Sequence, residues 1–409
     1  MSIQAFFDRE ARYGAHNYAP LPVVLAHGQG AYVFDAEGRR YIDMMSAYSA
    51  ASFGHLHPRL VAALQRQLGR LDLVSRAYHS DNLGYFCEEL AHLTGLESCL
   101  PMNTGAEAVE TAIKAARRYG YDRLSIPADK AEIIVASGNF HGRTTSIISF
   151  SSEPSCRRGF GPFAPGFVLV PFGDPGELEA AVGPCTTAVL IEPIQGEAGI
   201  IVPPAGYLAS LRRICDRHGI LLIFDEVQSG FGRTGRNFCF EHENAKPDGL
   251  VLGKALGGGL LPVSAFVAKR SVMEVFDPGS HGSTFGGNPL AAAVSREAMR
   301  LLVEEELSER SRVLGEVLRE ALSAIIHPAI VAVRGKGLWV GVELNPAYAK
   351  AKDVCLAMLK RGVLTKDTHE TTIRFAPPLI IEEADLLQAV RVFHDALQDV
   401  SQTVAASCV

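Results

Sequence analysis

Two stretches of the chain hold groups whose types and setting suit chemistry. The first, Ile220-Leu-Leu-Ile-Phe-Asp225-Glu226-Val-Gln228, is an apolar run that ends in two carboxylates. Such a run reads as a strand buried on both faces, as in a parallel sheet. Ligands of open α/β sheets bind beyond the carboxyl ends of the strands, so Asp225 and Gln228 are expected to face a crevice. The second, Val251-Leu-Gly253-Lys254-Ala-Leu-Gly257-Gly258-Gly259, sets a lysine between a short apolar run and a glycine cluster. A buried Asp with a loop Lys is what pyridoxal phosphate (PLP) chemistry needs. The amine condenses with the aldehyde. The carboxylate raises the proton affinity of the pyridine nitrogen, so the ring can take electrons from a carbanion. The alternative is two unrelated residues, since Asp-Glu ends many strands and most lysines are surface cations. These two stretches alone leave both readings open.

The elements that would position such groups alternate along the chain. Residues 58–71 and 82–92 carry a helical period. Pro101-Met-Asn103-Thr104-Gly105-Ala106-Glu107 runs into a long helix. Its free N–H groups and dipole suit a phosphate, although a plain capping box, Thr104 with Glu107, explains the same pattern. Glu132-Ile-Ile-Val-Ala is a strand followed by the loop 137–144, in which Phe140 could stack on a flat ring and Arg143 could fork onto a carboxylate. Ala188-Val-Leu-Ile-Glu192 is a second buried strand ending in a carboxylate. Strand–helix alternation predicts an α/β fold with a mostly parallel sheet. A glycine-rich loop at 281–289 offers a further phosphate contact. One long helix is expected from 290 to about 324, then a compact α+β unit with strand-like pieces at 338–344 and 373–378 and a final helix over 382–400.

A chain of 409 residues exceeds the roughly 250–300 that one core sustains. The expected units are an N-terminal arm with strands (1–48), a large domain (49–292) and a small C-terminal domain (293–409). A net charge of −6 argues against nucleic-acid or acidic-membrane partners. No run of about 18 apolar residues exists, so no membrane span is expected. The eight cysteines show no regular spacing, which fits reduced thiols in the cytoplasm.

Three motifs mislead. Gly230-Phe-Gly232-Arg-Thr-Gly235 matches a dinucleotide fingerprint, but no helical period follows it. Gly253-Lys254 is followed by Ala255 instead of Ser or Thr, so it is not a nucleotide P-loop. His55-Leu-His57 lacks a carboxylate partner in sequence, and no metal is expected there.

Taken together, the chain resembles the class III aminotransferases of PLP fold type I, the ornithine and acetylornithine type. The match runs from Tyr13-Gly-Ala-His-Asn-Tyr18 to Arg374-Phe-Ala-Pro-Pro-Leu379. Its most specific pieces are Asp225-Glu-Val-Gln228-Ser-Gly-Phe-Gly-Arg-Thr-Gly and Leu252-Gly-Lys254-Ala-Leu. Ser46-Ala-Tyr48-Ser-Ala and Glu192-Pro-Ile-Gln-Gly-Glu197 lean toward the ornithine branch. The resemblance implies that Lys254 and Asp225 are catalytic, and that Gln228 meets the cofactor's phenolic oxygen. It implies that Val227 and Phe140 sandwich the ring. The phosphate would fall to the loop Thr104-Gly105-Ala106, and to Ser283 and Thr284 across a homodimer interface. Arg143 and Arg374 would bind substrate carboxylates, Tyr18 and Tyr48 would shape the pocket, and Glu197 would neutralise Arg374. The implied reaction moves the δ-amino group of a diamino acid, ornithine, to 2-oxoglutarate. N-acetylornithine, lysine or another ω-amine is the alternative donor, and a non-catalytic PLP-fold regulator is the alternative class. His141 departs from the ornithine branch, whose animal members carry Trp there, and matches the acetylornithine branch. The short leader before Tyr13 points to a bacterial cytoplasmic enzyme.

Overall fold

The computed structural model describes residues 2–407. Its centre is a seven-stranded sheet in the order Ser98–Met102, Ser264–Ala268, Gly249–Leu252, Leu221–Asp225, Thr186–Ile191, Glu132–Ala136, Phe167–Val170. The four pairings from Gly249–Leu252 to Phe167–Val170 are parallel, and Ser264–Ala268 runs antiparallel to both its neighbours. This is the expected α/β class. The central strands are buried at every position, because helices cover both faces. That is why they read as unbroken apolar runs.

Ser98–Met102 gave no strand signal because it contains Pro101. It lies at the sheet edge, where a missing N–H is tolerated. The helix Gly105–Arg123 packs on the sheet through small residues, Ala108, Ala112, Ala115 and Ala116, all fully buried. A Cβ at Gly120 would lie 2.2 Å from Thr187 Cγ2, so only glycine lets helix and sheet approach this closely.

Two four-stranded sheets flank the centre. Leu25–Gln29, Tyr32–Asp35 and Arg40–Asp43 form an antiparallel meander, completed by Val363–Leu364, which pairs in parallel with Ile42 and Asp43. The other sheet orders Ile330–Gly335, Val340–Leu344, Thr372–Phe375 and Asp367–Thr368, all antiparallel. Helices Ala351–Lys360 and Glu383–Ser407 pack together beside it.

The single helix expected over 290–324 is two, Pro289–Glu304 and Leu307–Ser323. No proline or glycine marks the break, so periodicity could not show it. Glu306 takes a left-handed conformation (φ 48°) and Leu307 turns into the core. Three successive carboxylates precede Leu307, and Arg59 draws on Glu304 and Glu305 as well as Glu297.

Candidate active site

The site loops leave the sheet at the carboxyl ends of its strands: 103–106, 137–143, 192–197, 226–228 and 253–254. They enclose a cavity of about 190 Å³. Gly105, Ala106, Phe140, Val227, Gln228 and the pair Asp225 and Lys254 all line it.

Asp225 ends its strand nearly buried. One carboxylate oxygen accepts the Val227 N–H at 3.0 Å, and the other lies 2.7 Å from His141 Nδ1. Burial alone would push the His141 imidazole down, but the Asp225 hydrogen bond and charge outweigh it and hold its pKa above the ordinary value. His141 Nε2 is buried with no partner among the described residues.

Lys254 keeps some exposed surface because it opens on the cavity, yet the protein surrounds it closely. That desolvation lowers its amine below the usual lysine value, against the opposing charges of Glu197 and Asp225. Its backbone is left-handed (φ 44°), a conformation a non-glycine residue keeps only where its surroundings enforce it.

Glu192 also lines the cavity. Its carboxylate accepts the N–H of Phe140 at 2.9 Å and of Gly196 at 3.2 Å. Burial pushes its pKa up to about 7. Sequence reasoning left Glu192 and His141 out of the site. Both had signals: Glu192 ends a buried strand as Asp225 does, and His141 follows Phe140 directly.

The capping box is present: the Thr104 hydroxyl accepts the Glu107 N–H at 3.2 Å, and Glu107 accepts the Thr104 N–H at 2.7 Å. The capped start and the anion cradle are one object, since Thr104 caps while the backbone of Gly105 and Ala106 faces the cavity.

Arg374 is nearly buried, in a two-pronged pair with Glu197 at 2.8 and 2.7 Å. Its guanidinium lies over the Tyr48 ring, 5.3 Å from the centroid. Burial would raise Glu197, but the Arg374 hydrogen bonds and charge win and lower it. Gln228 Nε2 reaches Glu197 at 3.4 Å. Arg143 and Tyr18 share a separate outer cavity of about 290 Å³ with Cys156 and Phe160. Arg143 lies over Phe140, 5.6 Å from the centroid, and no ion pair holds it among the described residues. Ser283 accepts a bond from Asn103 Nδ2 at 2.9 Å, while Thr284 is exposed and outside the cavity.

The family model for aminotransferase class-III matches residues 13–397. The chain belongs to the class-III aminotransferases. It is 54% identical over 382 residues to ornithine aminotransferase 2 of Staphylococcus aureus strain Mu50, covering 93% of this chain and 96% of that protein. Among solved structures, the ornithine aminotransferase of Toxoplasma gondii superposes with a TM-score of 0.97 at 41% identity, covering 99% of this chain and 96% of that one. That enzyme holds PLP at partial occupancy in its active site. The acetylornithine aminotransferase of Elizabethkingia anophelis superposes with a TM-score of 0.90 at 45% identity, covering 97% and 99%.

Class-III aminotransferases use PLP, and the cavity of this chain fits it. A lysine amine, a carboxylate and the backbone of a helix start converge on it, matching an aldehyde, a ring nitrogen and a phosphate. At Gly105 a Cβ would already be 3.1 Å from Val227 Cγ1, so the ring's floor and the phosphate loop are in close contact.

Proposed function

We propose that this enzyme transfers the δ-amino group of ornithine to 2-oxoglutarate, giving glutamate 5-semialdehyde and glutamate. The observation that carries this is the state of the two arginines. Glu197 already occupies Arg374, while Arg143 has no carboxylate partner among the described residues. A donor with one carboxylate therefore docks on Arg143, with its far amine toward Lys254. The Staphylococcus relative supports ornithine as that donor.

PLP supplies an electron sink for the pair left when the donor's Cδ–H loses its proton. Lys254 Nζ takes that proton and returns it on the product side, which its lowered pKa favours. Asp225, oriented by His141, would hold the proton on the ring nitrogen. Phe140 and Val227 would hold the ring between them, Gln228 would meet the phenolic oxygen, and Gly105 and Ala106 the phosphate, with Thr104 and Ser283 shaping that loop. For 2-oxoglutarate, Arg143 takes the distal carboxylate and Arg374, released by Glu197, takes the one beside the ketone. Tyr48 and Tyr18 line the donor's path.

Thr284 completes the phosphate site of a second copy in this proposal, so the active unit is a homodimer. Its exposure supports that, as does the cavity of about 580 Å³ lined by Leu73, Leu261, Pro262 and the 56% exposed Phe285. Mixing Lys254→Ala with Thr284→Ala chains should restore activity through one intact hybrid site. Failure to recover after verified exchange removes the shared site. The units 1–48, 49–292 and 293–409 belong to the same proposal, with the first and third tied by the Val363–Leu364 pairing. No described helix is long and apolar enough to cross a membrane. The seven described cysteines are free, which supports a cytoplasmic setting, and Cys408 lies outside the described residues.

The deciding experiment compares kcat/KM for ornithine, N-acetylornithine, lysine and 4-aminobutyrate with 2-oxoglutarate. Ornithine should lead. A preference for N-acetylornithine, which the 45% identical Elizabethkingia enzyme and His141 favour, overturns the donor assignment and leaves the reaction type standing.

A further inference from the structure

Tyr48 stands in the longest run of positive-φ residues without a glycine among the described residues. Ser46, Ala47, Tyr48 and Ser49 have φ of 43°, 48°, 58° and 71°, a full left-handed turn without a glycine. L-residues disfavour this conformation, and single residues rather than turns are the rule. It persists only where the surroundings over-determine it.

The surroundings are specific. Asp43 Oδ1 accepts the N–H of Met45 at 2.9 Å and of Ser46 at 2.8 Å, and Oδ2 lies 2.8 Å from His55 Nε2. Ser46 Oγ donates to the Ala376 carbonyl at 2.7 Å, and the Ala376 N–H donates to the Met44 carbonyl at 2.7 Å. Ala376 lies two residues beyond Arg374, so the turn and the Arg374 strand are locked together. Arg233, fully buried, donates to Ser46 and Ser52, and Ser52 donates to the Ser49 carbonyl. The product of this scaffold is the Tyr48 ring held against the Arg374 guanidinium.

We propose that Asp43 is a positioning residue for substrate recognition: by anchoring the left-handed turn it fixes Tyr48 on Arg374, and so sets the affinity of Arg374 for a substrate carboxylate. This rests on the proposed use of Arg374 by glutamate and not by the δ-reacting end of ornithine. Asp43 lines neither the inner nor the outer cavity.

The test uses PLP-loaded enzyme and stopped-flow half-reactions with each donor. Asp43→Leu removes the Oδ1 acceptor. It should raise the apparent dissociation constant for glutamate roughly three- to thirty-fold, the range of a cation–π contact, with a near-normal limiting rate, and change that for ornithine less than about two-fold. Asp43→Asn keeps the acceptor and can donate to His55, so it should restore wild-type glutamate binding. Exposed Ala47 tunes the turn without touching the core. Glycine is at ease at positive φ and a β-branched residue is not, so glutamate affinity should fall in the order Ala47→Gly, wild type, Ala47→Val. The Ala47 series decides the matter if Asp43→Leu does not fold. Equal weakening of both donors, no rescue by Asn, or no effect of Ala47→Val overturns the inference. Wild-type enzyme that reacts with neither donor fails the functional reading instead, which separates the two.

Discussion

The inner and outer cavities are built differently. Around the inner one, Asp225, His141 and Glu192 are buried and hydrogen-bonded, at or just beyond the ends of neighbouring parallel strands. Around the outer one, Tyr18 is 73% exposed, Arg143 is exposed, and both lie on loops. The chemistry is held by groups whose positions the core dictates. In the proposed function, donor choice falls to groups the core leaves free, where substitution costs little stability. The Tyr48–Arg374–Glu197 set lines neither cavity, and its rigidity comes from the turn anchored by Asp43 and Arg233.

The sharpest way to break this contrast is at Lys254. Lys254→Ala should lower steady-state turnover at least roughly 10²–10⁴-fold, the usual worth of positioned proton transfer. Its visible absorbance should no longer shift normally on adding donor. Near-normal turnover in that variant would mean that the inner cavity is not the reaction centre.

Next in size is the Glu197–Arg374 pair. Glu197→Ala leaves Arg374 a nearly buried cation without its two-pronged partner, a costly state. A substrate α-carboxylate should fill the gap. Ornithine should then react increasingly through its α-amine, while the glutamate half-reaction survives. Stopped-flow traces with both donors read this directly, and unchanged δ-selectivity removes Glu197 from the role.

Legibility in the sequence followed the same contrast. Strand ends such as Ile191–Glu192 and Phe224–Asp225 announce themselves because burial on both faces forces unbroken apolar runs, and a carboxylate closing such a run is conspicuous. The partnership of His141 with Asp225 was hidden because it joins residues 84 apart in sequence. His141 reads as a clue to the donor, and the fold adds what the sequence did not show, its Nδ1 lying 2.7 Å from Asp225. Tyr18, Tyr48 and Glu197 carry no local signal and were legible only through resemblance. The left-handed turn at 46–49 was invisible because no glycine marks it, the usual sign of positive φ.

The outer cavity should yield a smaller effect. With ornithine's carboxylate on Arg143, its α-ammonium lies near Tyr18, whose hydroxyl can accept a hydrogen bond. Tyr18 is largely exposed, so water partly replaces the lost partner. Tyr18→Phe should therefore cost ornithine about 1 kcal/mol in kcat/KM, the low end for a lost polar contact, and 4-aminobutyrate less. Equal losses for both donors would show that Tyr18 acts by packing alone.

The smallest effect on turnover is expected one residue from Asp225. Glu226 is fully buried, and its carboxylate faces the 239–240 turn, accepting N–H bonds from Cys239 at 2.6 Å and Phe240 at 2.9 Å and a Ser229 hydroxyl at 3.2 Å. These donors lower its pKa, but burial outweighs them and pushes it up to about 7 from an ordinary 4.5. The folded chain therefore binds this proton more tightly than the unfolded chain. Stability from Glu226 is full below about pH 4.5 and is lost as pH rises through 7. Glu226→Gln cannot titrate. The unfolding free energy of wild type minus that of the variant should fall between about pH 4.5 and 7 and stay level above. Glu192 titrates in the same window, but it does so in both proteins and cancels in the difference. Urea midpoints at fixed protein and cofactor concentration measure it. A difference that does not change with pH would mean that the three donors fully offset burial and leave Glu226 at its ordinary value.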